Sequence, residues 1–205
     1  MHAGPETVRV RDRLPCRADT RHRGRRAQAP PANVPAPAND AATGLTFPPE
    51  IAGARLKYST DYTKTMNRPD LGFAWSYQID RLAVVTIYVY PAKSGRVPDG
   101  ATDDLVLAQF QQALADIYEG AKRGRYDELK PIAAPGKCTI ARLTFLCIDL
   151  SAIQPQTKQP MRTSLMVTGY RGQFLKVRLD WIGASDSSQA LADRFLQTVI
   201  ETIQK

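Results

Sequence analysis

The chain predicts an α+β domain, with an antiparallel β-sheet and helices packed on it. Three observations carry that expectation. Several segments alternate apolar and polar residues at period two, the signature of half-buried strands. Most of these are joined by connections of hairpin length, too short for a parallel crossover. Two longer segments instead carry apolar stripes at helical spacing, and the order strands, helix, strands, helix suits helices laid on a sheet. One sheet of about five to seven strands and two main helices is expected.

The elements follow in order from Leu45. LTFPPEIAG enters through Pro48-Pro49, a stiff extended pair. In LKYSTDYTKTM, Leu56, Tyr58 and Thr60 alternate with polar neighbours and predict a first strand. Asn67-Arg68-Pro69-Asp70 is a turn cluster. GFAWSYQI sets Phe73, Trp75, Tyr77 and Ile79 on one face, and LAVVTIYVY is apolar on both, as in a strand covered on both sides. After a loop from Pro91 to Gly100, Thr102-Asp103-Asp104 starts a helix with negative charge at the positive end of its dipole. Val106, Phe110, Ala113, Leu114, Ile117 and Ala121 form its apolar stripe, and Lys122-Arg123-Gly124 close it. KCTIARLTFLCIDLS is one long strand, or two joined by a tight turn near Ala141-Arg142. In TSLMVTGYRGQFLKVRLDW two strand-like arms meet at Tyr170-Arg171-Gly172, which suits a three-residue loop closed by a left-handed glycine. Its second arm alternates Leu175, Val177, Leu179 and Trp181 with Lys176, Arg178 and Asp180. A last helix over Ser187–Ile203 buries Leu191, Phe195, Val199 and Ile203, with Asp186 and Gln189 as a capping box.

Residues 1–44 read differently. They hold eight arginines, no lysine and the block AQAPPANVPAPANDAA, which has too little apolar surface to offset its ordering entropy. This stretch is expected to be a disordered tail, and residues 45–205 a single domain. The net charge of +8 is spread thinly. The tail sets its eight arginines against four acidic residues, and the domain sets 20 basic against 16 acidic. Weak polyanion binding through the tail fits that distribution, whereas a nucleic-acid surface on the domain does not. No apolar run is long enough to span a membrane. A basic start with no apolar segment after it does not read as a signal peptide, so the chain taken alone reads as cytoplasmic.

Several chemistries are excluded. Both histidines, His2 and His22, lie in the tail, so the domain cannot build a histidine-based triad or a histidine-ligated metal site. Its two cysteines cannot make a four-thiolate site, and neither phosphate-loop nor dinucleotide glycine patterns occur, so no cofactor is expected. Among the carboxylates, Asp103-Asp104 cap a helix, Asp127-Glu128 sit in a polar turn, and Asp61, Asp80 and Asp180 lie on or beside strands with nothing to pair them. No catalytic residue is assigned, and a carboxylate-dependent hydrolase is the alternative to a binding role. Cys138 and Cys147 would stand about 30 Å apart in one straight strand. Only a hairpin brings them within disulfide reach, and otherwise they are two buried thiols.

The loop tip is the candidate binding site. Neither Tyr170 nor Arg171 helps a turn form, and both residue types are frequent binding anchors. Lys176 and Arg178 would extend a basic surface beside them. Exposed side chains at Tyr170 and Arg171 are therefore expected, against the plainer reading that they merely fill a turn.

Several short motifs also carry a family resemblance. FPPEIAG from Phe47, LKYSTDYTKT from Leu56, VTIYVYPA from Val85, the ALADI helix and TGYRGQFLKVR from Thr168 occur in an order similar to a group of uncharacterised proteobacterial exported proteins. The match covers most of Phe47 to Trp181. The element order also resembles the PsbP/Mog1-like fold, an antiparallel sheet sandwiched by helices. That resemblance implies a non-catalytic module that binds a protein partner or a small ligand. It further implies the periplasm or cell envelope, and hence that the start shown is not a working signal peptide.

Overall fold

A computed structural model describes residues 35–93, 95–183 and 186–205, without the side chains of 186–189. It shows an α+β architecture built on one open sheet of nine strands. The strands are β1 (Glu50–Ile51), β2 (Ala54–Asp61), β3 (Phe73–Ile79), β4 (Ala83–Tyr90), β5 (Asp127–Pro131), β6 (Gly136–Ile140), β7 (Leu143–Ile153), β8 (Pro160–Tyr170) and β9 (Gln173–Ile182). Three α-helices accompany them: α1 (Tyr62–Met66), α2 (Asp104–Lys122) and α3 (Asp186–Ile203). The order across the sheet is β1-β2-β3-β4-β9-β8-β7-β5, with β6 also paired to β7. Every pairing among the described strands is antiparallel. The last strand thus closes the gap between two meanders, and β4 pairs β9 from Ala83↔Trp181 to Tyr90↔Phe174.

Alternation sorts the side chains into two cores. On one face Trp75, Tyr77, Val85, Ile87, Val177, Leu179 and Trp181 pack with Phe195, Val199 and Ile203 of α3. On the other, Val106, Phe110, Ala113 and Ile117 of α2 pack with Leu150, Leu165, Val167 and Phe174. Asp103 caps α2 as expected, accepting from Leu105 N at 2.9 Å. The main contacts of α2 are with β8, β7 and β5. It therefore covers only half of its face and leaves the half over β2, β3 and β4 open. No helix among the described residues is long and apolar enough to cross a membrane.

Several expectations need correction. The described residues form nine strands, more than expected, because short edge strands carry little pattern. Asp127-Glu128 belong to β5, an edge strand with a bulge, and not to a turn. Of the two readings of KCTIARLTFLCIDLS, the hairpin holds and the single long strand does not: Ala141 and Arg142 both take positive φ, 49° and 68°, in the two-residue turn between β6 and β7. Tyr170 is the last residue of β8 and pairs with Gln173, so the loop is Arg171-Gly172 alone, again with both φ positive. Leu191 is 51% exposed, on the solvent side of α3. The capping box assigned to Asp186 and Gln189 falls on side chains outside the described residues. The short helix α1 also went unread. Asp61 caps it, accepting from Lys64 N at 3.2 Å, and Asn67 ends it in the left-handed region.

The largest correction concerns the tail. Residues 1–34 lie outside the described set, but residues 35–44 form a packed strap on the α3 face, so the domain begins before Leu45. Asp40 and Thr43 are buried in a turn, where Thr43 N donates to Asp40 Oδ2 at 2.8 Å. Trp75 Nε1 donates to the Pro37 carbonyl at 2.9 Å, and the Trp75 ring stacks on Phe47 with centroids 3.5 Å apart. A segment with no core of its own can still be ordered by lying on another's. Composition does not register that.

Candidate ligand-binding face

The half-face that α2 leaves open is shaped by strand alternation. On β4 the residues Val84, Thr86, Tyr88 and Tyr90 project to the α2 side, opposite Asp180, Arg178, Lys176 and Phe174 of β9. The pairs Thr86↔Arg178 and Tyr88↔Lys176 thus bring two cations beside two polar-tipped side chains. Tyr126, at the end of the α2–β5 loop, reaches over them, and Tyr58 of β2 closes the far side. The result is an open cleft of about 810 Å³.

Its polar floor is one connected network. Arg178 donates from its terminal nitrogen to Tyr126 Oη at 2.6 Å, and the same guanidinium lies 3.9 Å from Asp180. Asp180 accepts from Thr163 Oγ1 at 2.6 Å and from Tyr126 Oη at 3.3 Å. Arg178 Nε is buried and has no hydrogen-bond partner among the described residues. Burial works against the charge of Arg178, but Tyr126 and Asp180 more than offset it, so its pKa stays above the ordinary value. Burial pushes the Tyr88 phenol up to about 12, and likewise raises Tyr126 with help from Asp180. These phenols are neutral donors at any physiological pH. The charged groups lining the cleft are three arginines, Arg81, Arg125 and Arg178, against one carboxylate, Asp180.

The four candidate binding residues do not form one site. Lys176 and Arg178 lie on the α2 face. Tyr170 is half-buried and packs against the core on the α3 face, contrary to the expectation of an exposed ring. Arg171 is exposed as expected, but its guanidinium donates to the Thr43 carbonyl at 2.6 Å and lies 5.3 Å from the Tyr170 ring. The tip is thereby a clasp for the strap. Its physical basis is simple: alternation sends Tyr170 and Lys176 to opposite sides of the same hairpin. Cys138 and Cys147 do meet, joined by a disulfide across the β6–β7 hairpin with Cα atoms 6.0 Å apart.

Tyr88, Tyr90, Tyr126 and Arg125 were not singled out by the sequence, and Asp180 only as an unpaired carboxylate. The available signal was VTIYVY, where two tyrosines recur at period two in a strand otherwise made of β-branched residues. Tyr126 had none, because its role depends on the loop that carries it back over β9.

No family model matches the chain, and no curated protein matches it.

Proposed function

We propose that the protein is a non-catalytic binding module of the cell envelope, with a PsbP/Mog1-like fold. Its site is the open cleft over β4 and β9, and it takes an anionic group of a small ligand or of a partner protein. The observation that carries this reading is the lining of the cleft, where three arginines face one carboxylate in an aromatic-walled depression. Such a cleft focuses positive potential, and its low-dielectric walls strengthen each contact. Arg178 is pre-oriented by Tyr126, which lowers the entropy lost when an anion docks. The Cys138–Cys147 bridge supports an oxidising compartment, since such bonds persist outside the reducing cytosol.

The rival reading, a carboxylate-dependent hydrolase, finds less support in the cleft. Asp180 is its only carboxylate among the described residues, and both of its oxygens already accept hydrogen bonds from Thr163 or Tyr126. A paired acid and base would need a second carboxyl group beside it. Polyanion binding by the arginines of residues 1–34 is a separate, non-specific activity.

The test is capture from an envelope extract with the wild-type chain and with Arg125→Met/Arg178→Met as baits, identifying both proteins and small molecules. The wild type should retain a partner or ligand that the double variant loses while its circular dichroism is unchanged. Identical captured sets, or a hydrolytic activity abolished by Asp180→Asn, would overturn the reading.

A further inference from the structure

A second cavity, of about 480 Å³, lies on the same face between the first turns of α2 and the ends of β4 and β9. Tyr88 separates it from the cleft and lines both. Its walls are largely apolar, with Leu71, Ala92, Leu105 and Phe174 contributing. Two polar groups stand out in it. Tyr90 is only 7% exposed, and its hydroxyl is buried with no hydrogen-bond partner. Lys176 Nζ lies 4.2 Å from the Tyr88 ring centre and 5.3 Å from that of Tyr90. Among the described residues it makes neither a hydrogen bond nor an ion pair.

Both groups are donors, and the cavity supplies neither with an acceptor. Of its carboxylates, Asp70 takes two bonds of 2.7 Å from Arg68, and Asp116 accepts from Gln112 at 2.9 Å and bonds neither donor. A buried hydroxyl without a partner, beside an unpaired amine in largely apolar walls, defines the missing partner as an acceptor on an apolar body. An anion fits best, because the amine is largely buried and, with Asp116 the nearby opposing charge, still forms no ion pair among the described residues. The lining carries Lys93, which is exposed, and Lys176 against two aspartates, Asp70 and Asp116; only Lys176 stands at the buried tyrosine rings, so one negative charge suits the site better than two.

We infer that this cavity is a further binding site, for a small monocarboxylate with an aromatic or short aliphatic body, whose carboxylate accepts from Lys176 Nζ and Tyr90 Oη. The site is separate from the arginine-lined cleft and does not depend on that assignment. Burial, aided by Arg178, holds the Lys176 amine down at about 8, against a smaller opposing pull from Asp116. An arriving carboxylate restores the favourable charged form.

The probes are benzoate and hexanoate, titrated calorimetrically into the full chain, with benzyl alcohol and hexanol as neutral controls. At least one acid should bind saturably with one equivalent, and the matching alcohol about tenfold more weakly or worse. Lys176→Met should weaken the acid by about tenfold or more, and Tyr90→Phe by about threefold, with thermal melts confirming that both fold. Arg125→Met, a cleft arginine that does not act on Lys176, should leave the affinity unchanged, which separates this site from the cleft. Absence of saturable binding up to about 10 mM, unaltered affinity in Lys176→Met, or loss confined to Arg125→Met would overturn the assignment.

Discussion

At the level of single residues, Lys176 is where the fold works against itself. A largely buried lysine against two tyrosine rings, in no ion pair among the described residues, costs stability whenever it is charged. Its folded pKa of about 8 lies below the ordinary 10.5. Below pH 8 both folded and unfolded chains carry the proton, and the penalty is constant. Between about pH 8 and 10.5 the unfolded chain holds the proton and the folded chain does not, so this residue's contribution to stability rises with pH. Lys176→Met keeps the apolar stem and removes the charge. It should therefore stabilise the protein at pH 7 by on the order of 1–3 kcal/mol, an advantage that shrinks as pH approaches 10. Urea denaturation of both chains at pH 7 and pH 9.5 measures this, and a destabilised variant at pH 7 would show that the amine is satisfied. Gly169 offers a second residue-scale check. A Cβ there would sit 1.8 Å from the Pro98 carbonyl oxygen, because Gly169 and Gly100 pair across the β8 edge. Gly169→Ala should cost about 2 kcal/mol or more, read from the same denaturation curves.

Among the elements, the β6–β7 hairpin is held by its disulfide as well as by buried Phe145 and Ala141. β6 pairs only with β7 among the described strands, and much of it is exposed. Closing so short a loop stabilises by about 2.6 kcal/mol in the chain-entropy view. Cys138→Ser/Cys147→Ser should lower stability by about that amount, and reductant should destabilise the wild type but not the variant. The elements also show what periodicity can convey. α2 was legible almost to the residue, because its stripe and its cap are both written locally in DDLVLAQFQQALADIYEGAK. β3, β4 and β9 were legible from alternation for the same reason. β1, β5 and α1 were not: each is short, polar or set by a cap at one residue, and tertiary pairing decides them. The site was half legible. Lys176 and Arg178 announced themselves as polar residues on an alternating strand, but the side of the sheet they face is decided by which strand β9 pairs with. Tyr170 and Arg171 looked like anchors for a partner, but Tyr170 packs against the core, and Arg171 holds the chain's own strap, 128 residues away in sequence.

For the whole molecule, helix placement produces the site. α3 and the strap cover one face of the sheet, while α2 covers only half of the other, and the uncovered half becomes the cleft. The strap belongs to the fold and not to a dispensable tail. Removing residues 1–34 should abolish most heparin affinity, since all eight arginines of the first 44 residues go with it. Extending the deletion to residue 44 should lower the melting temperature by several degrees relative to the shorter truncation, because Arg171, Trp75 and Phe47 lose their partners. Equal melting temperatures for the two truncations would mean the strap contributes nothing.

The central claim, that the open half-face over β4 and β9 receives an anionic group, is tested most directly by nitrogen-15 NMR of the full chain titrated with citrate, inorganic phosphate and a hexaglutamate peptide. At least one probe should give saturable shifts confined to residues of β3, β4, β9 and the α2–β5 loop, and Arg178→Met should remove them. Shifts that never saturate, or that fall on α3 and the β6–β7 hairpin instead, would contradict it.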